Sequence, residues 1–140
     1  MKVTFELMCF GKKIKLKPVL HLYTVNDFLG RKAPGLCIEL YSKKPDSKDE
    51  KWEPFCVITK SFGEFIGVRN AAYIDLNNCP FAKQLCELGF AEETGFYKNS
   101  GFCQYPLWVF NEAFLRQTGD KIYSEYSECF DSLTEGLYCG

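Results

Sequence analysis

The sequence predicts a single α+β domain over residues 1–140: an antiparallel sheet of about five to six strands with two to three short helices. Three observations predict it. Apolar residues alternate with period two through the first half, as on half-buried strands. Apolar spacing of three and four appears only in the second half, between turn and cap residues. No repeat and no linker divides the chain.

The elements follow in order. In residues 14–25 the even positions Ile14, Leu16, Leu20 and Leu22 make an apolar face, and Lys13, Lys15, Lys17 and His21 make a polar one. Pro18 cannot donate to a ladder, so this strand is expected at an edge, or broken there. Leu36, Ile38 and Leu40 predict a second strand after a turn at Ala33-Pro34-Gly35. Residues 52–59 and 65–76 predict a third and a fourth. The intervening KKPDSKDEK of residues 43–51 reads as a solvated loop.

Asn77-Asn78-Cys79-Pro80 predicts a helix, with asparagine as cap and proline in the first turn. Phe81, Leu85 and Leu88 give its apolar spacing and Gly89 its stop. Residues 90–96 and 102–110 predict a hairpin around Lys98-Asn99-Ser100-Gly101, with Pro106 making part of it irregular. Asn111 caps a short helix to about Thr118, before Gly119. Tyr123, Tyr126, Phe130, Leu133 and Leu137 then predict an amphipathic helix in the tail.

A chain of 140 residues is long enough to build a core without a metal or disulfide staple. The net charge of −1 gives no general pull toward nucleic acid or anionic membrane. The N-terminal stretch lacks a signal-peptide core, and no run has the length of a membrane span, so a cytoplasmic location is expected. The eight cysteines are spread evenly, several within strand patterns, and read as small buried hydrophobes in a reducing compartment.

Candidate chemistry is sparse. The single histidine, His21, is the only imidazole that could serve a cysteine nucleophile, and it falls on the lysine-bearing strand face. Cys79 stands at a helix N-terminus, where free N–H groups favour a thiolate; Cys103 lies between aromatics. There is no CxxC pair and no phosphate-cradling loop, so neither metal nor cofactor is expected. Glu92 and Glu93 alternate across a strand and do not converge.

Charge and aromaticity are more informative. Residues 1–17 carry five lysines against one glutamate, whereas residues 119–140 carry five acidic residues against one lysine. The acidic end, with Glu125, Glu128 and Asp131, reads either as a solvated helix face or as a mimic of nucleic-acid charge. There are 13 phenylalanines, 8 tyrosines and 2 tryptophans. Tyr97, Tyr105, Trp108, Tyr123, Tyr126 and Tyr138 fall in the second half, and such side chains suit either a core or an interface.

Tyr73-Ile74-Asp75-Leu76-Asn77-Asn78 with Pro80, then Gly89, Thr94-Gly95, Ser100-Gly101-Phe102-Cys103 and Tyr105-Pro106-Leu107, form a pattern across residues 71–110. This stretch resembles an uncharacterised domain family carried by conjugative and integrative elements of gut bacteria. The resemblance implies accessory or anti-defence work for mobile DNA and supplies no catalytic residues.

The expectation is therefore a non-catalytic, protein-binding accessory of a mobile element. Its partner would be a host or competitor protein such as a CRISPR-type nuclease effector, rather than nucleic acid or membrane. The contact surface would use Tyr105, Trp108, Tyr123 and Tyr126 with Glu125, Glu128 and Asp131. The alternative is a small cysteine-dependent enzyme using Cys79 or Cys103 with His21.

Overall fold

Eight strands form two four-stranded antiparallel sheets in a computed structural model that describes residues 3–43 and 51–138. Sheet one has the order β1 (Phe5–Cys9), β2 (Lys12–Asn26), β3 (Lys32–Ser42), β4 (Glu53–Val57). Sheet two places β5 (Thr59–Lys60), β6 (Ala71–Ile74), β8 (Cys103–Phe110) and β7 (Ala91–Ser100) side by side. A 3-10 turn at Pro80–Lys83 leads into the short α1 (Gln84–Glu87), and α2 (Glu112–Tyr138) follows β8. Residues 44–50, which carry all but the ends of the expected charged loop, and the side chains of Leu137 and Tyr138 lie outside the described residues.

The α+β class holds, with two sheets where the alternation predicted one. The reason is local. Residues 52–59 read as one strand, but the chain changes sheet at Ile58. Its N–H donates to Ile38 O on β3 at 3.1 Å, and its carbonyl accepts from Asp75 N, just after β6, at 2.8 Å. Thr59 Oγ1 adds a bond from Ile38 N at 3.1 Å. A fully buried Ile58 thus joins the two ladders through one peptide unit. A parallel bridge between Asn26 and Glu64 ties the far end of β2 to the segment between β5 and β6.

The prolines explain themselves once the register is known. β2 has a partner on both sides only at Leu16, which pairs with Phe5 and Ser42; Pro18, two residues on, has a paired strand on the β3 side alone. Pro106 likewise lies just beyond Leu107, where β6 stops pairing with β8. The ring therefore interrupts no two-sided ladder. The expected edge at Pro18 is half of a strand, and β8 runs unbroken through Pro106. The turn expected at Ala33-Pro34-Gly35 lies instead at residues 27–31, with Gly30 at φ 79°. There Asp27 accepts from the N–H groups of Leu29 and Arg31 at 3.0 and 2.7 Å, which outweighs the turn signal of a Pro-Gly pair.

Of the strand predicted at residues 65–76, only Ala71–Ile74 pairs. Neither asparagine caps the following turn: Asn78 N and Nδ2 both donate to Asp75 at 3.1 and 2.8 Å, and Cys79 takes the cap position. Gly89 does stop the helix, at φ 81°, with Phe90 N donating back to Leu85 O. Asn111 caps α2 through Phe114 N at 2.6 Å. α2 breaks at Gly119, whose extended backbone separates the two helical stretches the sequence predicts. On the free side of β1, the Gln84 amide pairs with both Met8 N–H and C=O, standing in for a strand.

The core lies between the inner face of sheet one, sheet two and α2. Leu16, Leu20, Ile38 and Leu40 meet Trp108, Phe110, Phe114 and Leu115 there. Phe5, Phe90, Phe114 and Phe110 form a chain of rings with centroids 4.6 to 5.8 Å apart. Gly119 lets α2 approach β2 closely, since a Cβ there would stand 3.2 Å from Leu20 Cβ.

Candidate functional site

Three of the four aromatics expected at a contact surface belong to the core. Trp108 and Tyr123 are 0% exposed and Tyr126 is 2% exposed. Each tyrosine hides its polar tip by bonding to Asn70: Tyr123 Oη donates to Asn70 Oδ1 at 2.8 Å, and Tyr126 Oη accepts from Asn70 N at 2.9 Å. Trp108 Nε1 is buried without a partner among the described residues. Burial raises the Tyr126 phenol to about 12.

Tyr105 is half-buried, its ring edge-on to Phe62 at 5.2 Å, and burial and then the Cys103 thiol raise its phenol. Glu125 and Glu128 do stand exposed on α2. Asp131 is exposed as well but is paired with Arg69, which also donates to Ser127. The acidic face is real, although its tyrosines point the other way.

The residues proposed for cysteine chemistry do not meet. His21 projects from the outer face of β2 and pairs with Glu39 at 3.2 Å. Cys79 is buried in the core, with its Sγ 3.6 Å from Val57 O. Cys103 is half-buried at the start of β8. Among the described residues no His, Cys, Asp and Glu side chains group as metal ligands, and no helix is long and apolar enough to cross a membrane.

What the structure exposes instead is the far end of the β7–β8 hairpin. A two-residue turn, Gly101-Phe102, joins Ser100 to its partner Cys103, with Gly101 at φ 61°. Phe102 points fully into solvent, and Phe96 and Tyr97 on β7 are also largely exposed. Tyr97 and Phe102 line an open groove of about 580 Å³ with Leu76, Asn77, Gln104 and Pro106. The groove continues the buried face of β8 beyond Trp108, past the end of the core that would cover it. A bulge between Glu93 and Tyr97 sets these aromatics off from the rest of β7: Thr94 Oγ1 accepts from Phe96 N at 3.1 Å, and Gly95 sits at φ 85°.

Isolated exposed apolar residues are ordinary, but two exposed aromatics, Tyr97 and Phe102, on one groove make a place where a partner side chain can pack. Sequence reasoning named Tyr97 among side chains that suit a core or an interface but did not single out Phe102. The available signal was Gly-Phe at a hairpin turn, where nothing packs.

No curated protein and no solved structure matches the chain. A family model does, described as a domain of unknown function, DUF4313, over residues 24–130. That span takes in the last residues of β2, all of β3 to β8 and most of α2, well beyond the stretch in which the motifs lie. The chain belongs to this family of unknown function, DUF4313.

Proposed function

We propose that this chain is a non-catalytic protein-binding domain whose contact surface is the exposed end of the β7–β8 hairpin. The observation that carries the reading is Phe102, wholly in solvent, which with Tyr97 lines an open groove. An interface core of this kind is built from aromatic anchors with few charges. The exposed carboxylates Glu125 and Glu128 on α2 supply a second, acidic surface suited to a basic partner.

The resemblance to families of conjugative and integrative elements gives the biological setting. The domain works as an accessory of mobile DNA, inhibiting a nucleic-acid-targeting effector by occupying its basic substrate groove. The test is a cleavage assay on a panel of purified CRISPR-type and other defence nucleases, with the protein added at stoichiometric amounts. One effector should lose activity, and Tyr97→Ala with Phe102→Ala should restore it by about tenfold or more. Undiminished cleavage by every effector would remove the inhibitor reading. Inhibition unchanged by the double substitution would remove the hairpin.

A further inference from the structure

The inner face of sheet one is covered by α2, where Gly119 meets Leu20; the side chains that alternate with the core residues of β2 lie on the outer face. The outer row of β2 begins Lys13, Lys15, Lys17. Lys13 and Lys15 are exposed and Lys17 is half-buried. Tyr41 on β3 is the register partner of Lys17 and so shares its face. The Lys17 ammonium lies 5.1 Å from the centre of the Trp52 ring, which brings Trp52, just before β4, to the same side. Tyr41 and Trp52 are half-exposed, and neither is packed on the core.

We propose that this outer face binds single-stranded nucleic acid without sequence preference, the lysine row holding phosphates while Trp52 and Tyr41 stack on bases. The site is separate from the hairpin surface and does not depend on it. Basic side chains along a track with aromatic platforms beside them are the combination that sequence-tolerant single-strand binding uses. Alternate residues of a strand stand about 6.8 Å apart, so the row offers one cation to each successive phosphate of an extended strand. A duplex fits poorly: a sheet face enters neither groove, and paired bases keep their faces from the rings.

The carboxylates of this face do not cancel the row. Glu39 is engaged by His21 at 3.2 Å and by the Tyr41 hydroxyl at 2.9 Å. Glu6 bridges Lys13 at 3.5 Å, but both side chains are more than half exposed, so the pair is weak and yields to a phosphate. Among the described residues Lys15 and Lys17 pair with no carboxylate. The net charge of −1 conceals the row, because the acidic residues Glu125, Glu128 and Asp131 sit on α2, the element that covers the opposite face.

The experiment titrates fluorescein-labelled oligothymidylate and oligouridylate with the full chain and follows anisotropy and tryptophan fluorescence. Saturable binding of either strand is expected. Three lysine–phosphate contacts at about −0.7 each give a salt slope of about −2, so affinity should fall about 20-fold between about 50 and 200 mM salt. Trp108 is fully buried, so quenching on binding reports Trp52 and needs no variant. Joint substitution Lys13→Gln, Lys15→Gln and Lys17→Gln, at side chains outside the core, should weaken binding about tenfold or more and flatten the slope. Trp52→Ala should weaken it about tenfold and abolish the quenching. Any one of four results would overturn the proposal: no saturable binding of either strand, binding unmoved by the triple substitution, a duplex bound as tightly as the single strands, or capture by anionic phospholipid vesicles without capture of the oligonucleotides.

Discussion

Tyr126→Phe removes one oxygen atom and leaves the ring packing of α2 unchanged, so it isolates the clamp that turns two apparent surface tyrosines into core residues. Tyr126 Oη accepts from the N–H of Asn70, which sits at φ 65° in the loop before β6. The Asn70 carbonyl in turn accepts from Phe110 N at 2.9 Å, and its side chain accepts from Tyr123. One residue thus ties α2 to the strand that carries Trp108. Without the phenol oxygen the Asn70 N–H has no acceptor in a part-buried site, which costs about 1–3 kcal/mol. At this chain length that is a fall in Tm of about 2–4 °C for each kcal/mol.

Urea unfolding of wild type, Tyr126→Phe, Tyr123→Phe and the double variant measures the effect. Tyr123→Phe should cost about 0.5–1.5 kcal/mol, because the Asn70 side chain is partly open to water. The two should be non-additive, since both act through Asn70. The alkaline limb gives an independent sign. A phenol raised to about 12 in the folded chain, against about 10 unfolded, contributes stability that is full below about pH 10 and lost as pH rises toward 12. Tyr126→Phe should remove that part of the alkaline loss. A Tyr126→Phe protein within about 0.3 kcal/mol of wild type, with its alkaline limb unchanged, would refute the clamp.

Two further outcomes follow from named contacts. Asp27 is buried, which raises its carboxyl, but the N–H groups of Arg31 and Leu29 and the Arg31 guanidinium outweigh this and hold it below the usual carboxylate range. Its contribution is therefore present above about pH 4 and lost as pH falls through the lower folded value, and Asp27→Asn should flatten the acid limb of a urea-midpoint profile. Gly119→Ala drives a methyl to 3.2 Å from Leu20 Cβ on a core strand that cannot yield, and should destabilise by about 1–3 kcal/mol in the same assay.

How far the sequence was legible depends on the range of the interaction. Period-two alternation placed β2 and β3, and the Asn111 cap, the Gly89 stop and the hairpin were all local signals. The change of sheet at Ile58 was invisible, because a strand crossing between sheets keeps its alternation and differs only in where its peptide bonds. The meaning of Pro18 and Pro106 required the register of the neighbouring strands. Tyr123 and Tyr126 were ambiguous by composition, since an amphipathic side chain can be buried only if a polar partner meets it, and Asn70 lies more than fifty residues away. Cys79 was singled out for its helix end with His21 as the expected partner, but Cys79 is buried in the core and His21 stands on the outer face of β2 beside Glu39.

The central claim is that the β7–β8 hairpin end is the contact surface, and a photo-crosslinking residue in place of Phe102 tests it most directly. The probe is carried by the full chain and mixed with the effector that the cleavage assay identifies, with Thr4, exposed just before β1, as the control position. The account predicts one dominant adduct from position 102, mapped to the effector's substrate groove, and none from position 4. Equal adducts from both positions, or none from 102 while inhibition persists, would contradict it.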